Sequence, residues 1–412
     1  MNVRTKVPTS AAQRIAGQGH FRTPQIRSPF HARIAALMDG EHWYDWAGYA
    51  APTYIHDEEL EYFAIRSTAA LFDISPMIKY RITGPDAEAM LDRLTVRDVA
   101  KLKPGRVHYT AWCDDDGQVL DDGTLFRIDR TVFRLCCQER HLPWLIETAS
   151  GFDVAIHDET DALAGLAIQG PTSAAILRDA GFAGIDGLKP FDILRQTHEG
   201  QEVLLSRTGF TGDLGYEIFM PAALALSMWD RLWKVGGQRG LAAIGYNALN
   251  RARLEAGFIV ANADFVTSEK ALRPDRTRYP DEIGLDWMVD MNKPHFNGKR
   301  AIARARAGNA LRHALVGLEI EGNEPAAMAI IYHAKTSEAG IVTAGIWSPT
   351  AKRNIAIASV DRRFLKEGST DLWAEIYALR ELRYQKLMKR ARIVERPFVK
   401  LARRTATPPA DF

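Results

Sequence analysis

Cysteine is scarce in this chain, with three in 412 residues: Cys113, Cys136 and Cys137. Their spacing fits no metal-ligand motif, and adjacent residues in a strand point to opposite faces. A disulfide framework and a metal site are therefore not expected, and a reducing cytoplasm is. Long apolar runs are lacking too. No segment approaches the roughly 18 to 20 residues that span a bilayer, which excludes a membrane-embedded protein. Neither sign of charge is in excess: 53 Lys and Arg against 51 Asp and Glu leave a net +2, which argues against nucleic acid as the main partner. The common catalytic signatures are missing as well, with no GxSxG elbow, no HExxH and no GxxxxGK[ST]. The close glycines Gly17 and Gly19 neither follow a strand nor open a helix.

What is present points to a globular chain of two or three domains, with 46% hydrophobic and 25% charged residues and a length beyond one ordinary core. The first 38 residues carry Arg4, Lys6, Arg14, Arg22, Arg27 and Arg33 and no acid. Pro8, Pro24 and Pro29 break any long amphipathic helix there, so the segment reads as a loose arm in preference to a basic presequence. Residues 42–54, HWYDWAGYAAPTY, form an aromatic loop or short strand. Residues 107–112 and 118–128 predict a hairpin closed by the turn Asp114-Asp115-Asp116-Gly117, and residues 131–137 a further strand. Past residue 310 the pattern changes to strands separated by turns, which predicts an antiparallel barrel or sandwich. Basic residues gather from Arg380 to Arg392 in one strand-like stretch.

Two places hold polar groups that need a reason. In VLDDGTLFRI, Asp121 and Asp122 point to opposite faces of a half-buried strand, so one of them faces inward. Tyr109 on the partner strand and Gln138 at the end of the next strand converge on the same space. In RTGFTGDLGYEI (207–218), three glycines make an irregular turn before an alternating strand in which Glu217 stands among apolar residues. A carboxylate there either faces water or holds a partner with two parallel N–H donors, such as an arginine or the aminopyrimidinone edge of a pterin. Convergent polar groups in an apolar cleft are the usual mark of a small-molecule site.

The stretch 207–221 resembles the TGYTGExGYEI signature of the glycine-cleavage T-protein, or aminomethyltransferase, family. Five more stretches are collinear with that family: RSTAALFDIS (66–75), GQVLDD (117–122), LAIQGP (166–171), RLEAGF (253–258) and SPTAKRNIAIASV (348–360). The resemblance implies an α+β fold in which three domains form a folate-binding ring: two ferredoxin-like α+β domains and a C-terminal antiparallel β-barrel. Residues 1–75 with 158–252, 76–157 with 253–305, and 306–412 are the expected domains. Tetrahydrofolate is the implied cofactor. By resemblance Glu217 holds the pterin, Asp121 acts beside the reacting nitrogens, and Tyr109, Gln138, Phe210 and Tyr216 complete the folate pocket. Tyr109 or His56 is expected to assist the leaving group.

The chain also departs from that pattern. Asn247-Ala248-Leu249-Asn250 stands where the family has GARD, so an arginine is replaced by Leu249, and residues 259–265 do not follow the family. These departures favour a relative that moves a methyl group from a small-molecule donor, an aryl methyl ether by preference, to tetrahydrofolate. The alternatives are aminomethyl transfer from a lipoyl carrier protein, against which the missing arginine counts, and a non-catalytic folate-binding module.

Overall fold

The computed structural model of the chain describes residues 25–365 and 371–410; most of the basic N-terminal arm lies outside them. Its strands fall into two open sheets, a closed barrel and a small three-stranded sheet. The first open sheet runs, edge to edge, through Ile193–His198, Gln201–Ser206, Gly215–Pro221, Leu163–Gln169, Ala69–Asp73 and Leu241–Ala243. Period-two alternation explains how it packs. Tyr216, Ile218 and Met220 enter a core roofed by Leu177, Met228, Trp229 and Leu232 of two helices, Ser173–Asp179 and Ala225–Gly236. Phe72, Ala167 and Phe219 point the other way, against Tyr62 and Ile65 of the helix Glu58–Ser67 and Ala248 and Ala252 of the helix Tyr246–Glu255.

The second sheet is antiparallel throughout: Arg106–Cys113, Val119–Asp129, Val132–Cys137, Ile78–Thr83 and Ala155–Asp158. Ile78, Tyr80 and Ile82 bury one face against Met90, Leu91 and Leu94 of the helix Ala87–Leu94. The opposite face presents Val107, Phe126 and Cys136 to the first sheet, where Phe126 meets Phe219 edge-on at 5.4 Å. Cys136 and Cys137 are free and buried, in different cores, as strand alternation requires.

The barrel closes through His313–Ile320, Arg353–Asp361, Ser337–Ser348, Ile330–His333, Leu372–Arg380 and Arg383–Val394. The basic stretch is two of these strands, not one. Glu381 and Leu382, at φ +49° and +61°, make a two-residue turn without the glycine or asparagine that marks such turns in a sequence. The aromatic segment 42–54 is likewise a hairpin, Trp43–Trp46 with Tyr49–Pro52. Among the described residues no helix is long and apolar enough to cross a membrane.

Candidate active site

Three of the family-like stretches meet the glycine turn and the barrel in one buried network. Glu255 accepts hydrogen bonds from Tyr62 Oη at 2.6 Å, from Ser348 Oγ and from Arg66 Nη2 at 2.7 Å. Arg66 also reaches Asp213 at 3.3 Å, and Asp213 accepts from Arg403 Nε at 2.6 Å. Both carboxylates are fully buried, and each is paired. Through Thr211 O and Asp213 the network joins the turn of residues 207–218 to Ser348 of the barrel, and in doing so it fixes where that turn sits.

The turn itself wraps the Gln169 amide. A Cβ at Gly209 or Gly215 would stand 2.0 or 2.1 Å from Gln169 Oε1, so only glycine fits at either position. Gln169 Nε2 donates to Thr208 O and Tyr216 O at 3.3 Å, and its Oε1 accepts from Thr211 Oγ1 at 2.9 Å. Thr208 is thereby held beside Glu217 and donates its hydroxyl to that carboxylate. Glu217 faces the interior side of the sheet and lines a cavity of about 1510 Å³ between the two sheets and the barrel's C-terminal extension. Burial holds its carboxyl above the usual range, with the Thr208 hydrogen bond opposing. Among the described residues it has no ion-pair partner.

Across the cavity stand Tyr109, Asp122, Thr124 and Gln138. Tyr109 Oη donates to Asp122 Oδ2 at 2.7 Å. Burial, with the Asp121 carboxylate next in the chain, pushes Asp122 up to about 7. Burial also drives the Tyr109 phenol well above its ordinary value, so it keeps its proton and serves as a hydrogen-bond donor. Phe210 lines the same space and stacks on Phe258 at 5.4 Å.

Three expected site residues lie elsewhere. Asp121 faces the opposite side of its strand and is fully buried. It accepts from the backbone N–H of Asp122 and Glu139 and lies 3.2 Å from His141 Nε2. A bulge explains the parity: Trp112 pairs with Asp121, but the next residue, Cys113, pairs with Val119. Asp122 is therefore the carboxylate on the cavity. Tyr216 alternates with Glu217 and lies behind the sheet in the helix-covered core. His56 is on the surface, 2.7 Å from Asp39, where the chain turns into the helix Glu58–Ser67.

The sequence reading missed two residues near the site. Arg396, from the segment after the last barrel strand, lines the cavity and donates to Leu315 O at 3.1 Å; burial lowers its pKa. His141 sits between Asp121 and Glu269, beneath the Asp122 strand. Neither stands in a motif, and Arg396 joins the cavity only through the tertiary fold. Leu249 lines the cavity, as do loop residues 256–263. Arg253 latches that loop through Asp264, itself held by Val260 N and Thr343 Oγ1 at 2.8 Å.

Comparison with known proteins agrees with this architecture. Residues 30–293 match the GCVT N-terminal domain family, and residues 313–400 match the glycine cleavage T-protein C-terminal barrel domain. The chain is 34% identical to an aminomethyltransferase of Streptomyces coelicolor over 353 residues, covering 84% of this chain and 91% of that protein. It is 32% identical to an aminomethyltransferase of Bacillus pumilus over 366 residues, 87% and 95% of the two chains. The crystal structure of glycine cleavage system aminomethyltransferase T from Bartonella henselae superposes with a TM-score of 0.79 at 25% identity, covering 91% of this chain and 98% of that one.

Proposed function

Because the chain belongs to the glycine cleavage T-protein family, we propose that its cavity binds tetrahydrofolate and passes a one-carbon unit to it, from an aminomethyl donor of the kind its relatives are named for. The chain is a tetrahydrofolate-dependent one-carbon transferase; the donor and the assignment of the site to this cavity and its residues are the parts proposed. The observation that carries the site assignment is Glu217, a cavity-facing carboxylate whose one hydrogen bond among the described residues comes from Thr208. An acid left in that state fits a ligand edge with two parallel N–H donors, which an aminopyrimidinone presents.

When bound, tetrahydrofolate supplies the nitrogen that accepts the one-carbon unit. Glu217 would hold its pterin edge, and Phe210 with Phe258 would pack on its flat face. Asp122, raised towards neutrality, is suited to take or return a proton near the reacting centre, and Tyr109 holds that carboxylate in place. The chain's larger contribution is to hold the donor and acceptor atoms in line, an effect worth up to roughly 7 to 11 kcal/mol. Under this reading a lipoyl carrier protein returns as a partner, and the sequence-based expectation against it has no support among the relatives.

A second reading, methyl transfer from a small methylated donor, is favoured by Leu249, which puts a branched alkyl group on the cavity wall. Incubation with tetrahydrofolate and either a reconstituted glycine-cleavage mixture or a panel of methoxyarenes, methylated sulfur compounds and methylamines separates the two. Methylenetetrahydrofolate and ammonia from the first supports aminomethyl transfer. Methyltetrahydrofolate from the second supports demethylation, and folate binding without either product would leave only a binding module.

A further inference from the structure

Asp121 and Asp122 are chain neighbours on opposite faces of one strand, and two carboxylates so close resist being charged together. Their surroundings differ. Asp121, fully buried, accepts the Asp122 and Glu139 backbone N–H groups at 2.9 and 3.1 Å and faces His141 Nε2 at 3.2 Å. Asp122, on the cavity, has the Tyr109 hydroxyl at 2.7 Å. Donors aimed at a carboxylate favour its charged form, so of the two it is Asp122 that is left to hold a proton.

His141 is the group placed to balance the charge of Asp121. Its side chain is 2% exposed, its ring meets the Trp112 indole edge-on at 5.7 Å, and its backbone N–H donates to Tyr80 Oη at 3.0 Å, so the imidazole has little freedom to turn. Nδ1 faces Glu269 Oε2 at 3.3 Å while Nε2 faces Asp121. An ionised carboxylate only accepts hydrogen bonds, and a neutral imidazole has one N–H to give. With a carboxylate at each nitrogen, the ring satisfies both only as an imidazolium. Nearby, burial drives the Cys137 thiol and the Tyr80 phenol far above their ordinary values, so both stay neutral. Arg140 is turned to Asp158 at 3.1 Å, and Glu139 is paired with Lys270 at 2.6 Å. For Asp122, burial is followed by Asp121, Tyr109 and Asp264 as the groups that set its hold on a proton, so His141 reaches it through Asp121.

We propose that His141 is the positioning residue of the aspartate pair: as an imidazolium held between Asp121 and Glu269, it keeps the buried Asp121 ionised and leaves the pair's proton on Asp122, facing the cavity. This rests on the one-carbon transfer proposed above, in which Asp122 exchanges a proton near the reacting centre. It adds the residue that decides where that proton sits. Without the imidazolium, Asp121 would be a buried charge with no cation, and taking up the proton itself is then its lower-energy state.

Infrared difference spectroscopy of the full chain without folate reads the proton directly, since a protonated carboxyl has a carbonyl stretch of its own. The parent spectrum minus that of Asp122→Asn should show this band, with a pH midpoint at about 7. In the His141→Gln background the midpoint from the same subtraction should fall by about one to three pH units as the proton passes to Asp121. His141→Lys, which restores a cation, should bring it back. A purely structural role would lower stability and leave the band on Asp122, so an unmoved midpoint overturns the proposal. Should His141→Gln not fold, Glu269→Gln decides: its side chain is 59% exposed, it removes one of the two carboxylates, and it should shift the midpoint the same way by less. No shift there overturns the proposal too. With folate and donor present, the pH midpoint of turnover should move with the band, and a band that moves alone removes Asp122 from the transfer step. A chain that fails to bind tetrahydrofolate loses the one-carbon reading and keeps the proton placement.

Discussion

Two buried clusters of charge in this molecule look alike in composition and differ in how they are satisfied. In the network of Arg66, Asp213, Glu255 and Arg403, every carboxylate meets a guanidinium, and hydroxyls of Tyr62 and Ser348 take up further acceptor capacity. In the cavity wall, Glu217 and Asp122 have a hydroxyl each and no cation among the described residues. A fully paired cluster is complete without a ligand, and its work is to join the first sheet to the barrel. An acid held above its ordinary pKa and without an ion pair is the kind of group that marks a candidate ligand site. Both clusters carry family-like residues, so resemblance alone does not separate scaffold from site; the state of each charge does.

The largest effect that sharpens the contrast is expected in the network. Arg66→Ala leaves Glu255 and Asp213 short of a cation and should cost about 3 to 5 kcal/mol of stability, read as a fall in the denaturant midpoint without ligand. Asp122→Asn should act in the opposite sense on the two readouts: turnover falls by about 10²- to 10⁴-fold while the fold is retained.

Asp122 also predicts a pH dependence. Its pKa is raised in the folded chain, to about 7, above the unfolded value near 3.9, so the folded state binds this proton more tightly. Its contribution to stability is fully present below about pH 4 and is lost as pH rises through about 7. Asp122→Asn escapes that loss, so its stability relative to the parent should increase from pH 5 to pH 8. A constant difference in thermal midpoint across that range would show that Asp122 does not titrate as described. The smallest effects are expected at His56→Ala and Tyr216→Phe, which touch the surface and the helix-covered core. Folate affinity and turnover should both stay within about twofold, since ordinary substitutions away from a site change little.

How much of this was legible in the sequence follows from what each residue depends on. Glu217 was readable because a strand's period of two is local, and five collinear stretches fixed its context. The same rule failed at Tyr216: the alternation that sends Glu217 inward sends its neighbour behind the sheet. For the aspartate pair, the sequence showed that the two point apart but not which faces the cavity, because the bulge opposite Trp112 and Cys113 sets the parity and leaves no composition signal. His56 lay next to the aromatic segment in the chain, yet that segment turns back as a hairpin and leaves the histidine outside. Arg396 was invisible because only the tertiary fold brings it to Tyr109, 287 positions earlier in the chain. Barrel and sheets were legible as patterns of alternation; the turn at Glu381 and Leu382 was not, since its residues are not the ones that favour positive φ.

The proposed anchor for tetrahydrofolate is the unpaired carboxylate of Glu217. Calorimetric titration of the parent chain and Glu217→Gln with tetrahydrofolate tests it most directly. Loss of a charge-assisted hydrogen bond predicts a loss of roughly 1.5 to 3 kcal/mol, or about 10- to 150-fold in affinity, with no loss of thermal stability. Equal affinities for the two proteins would contradict it.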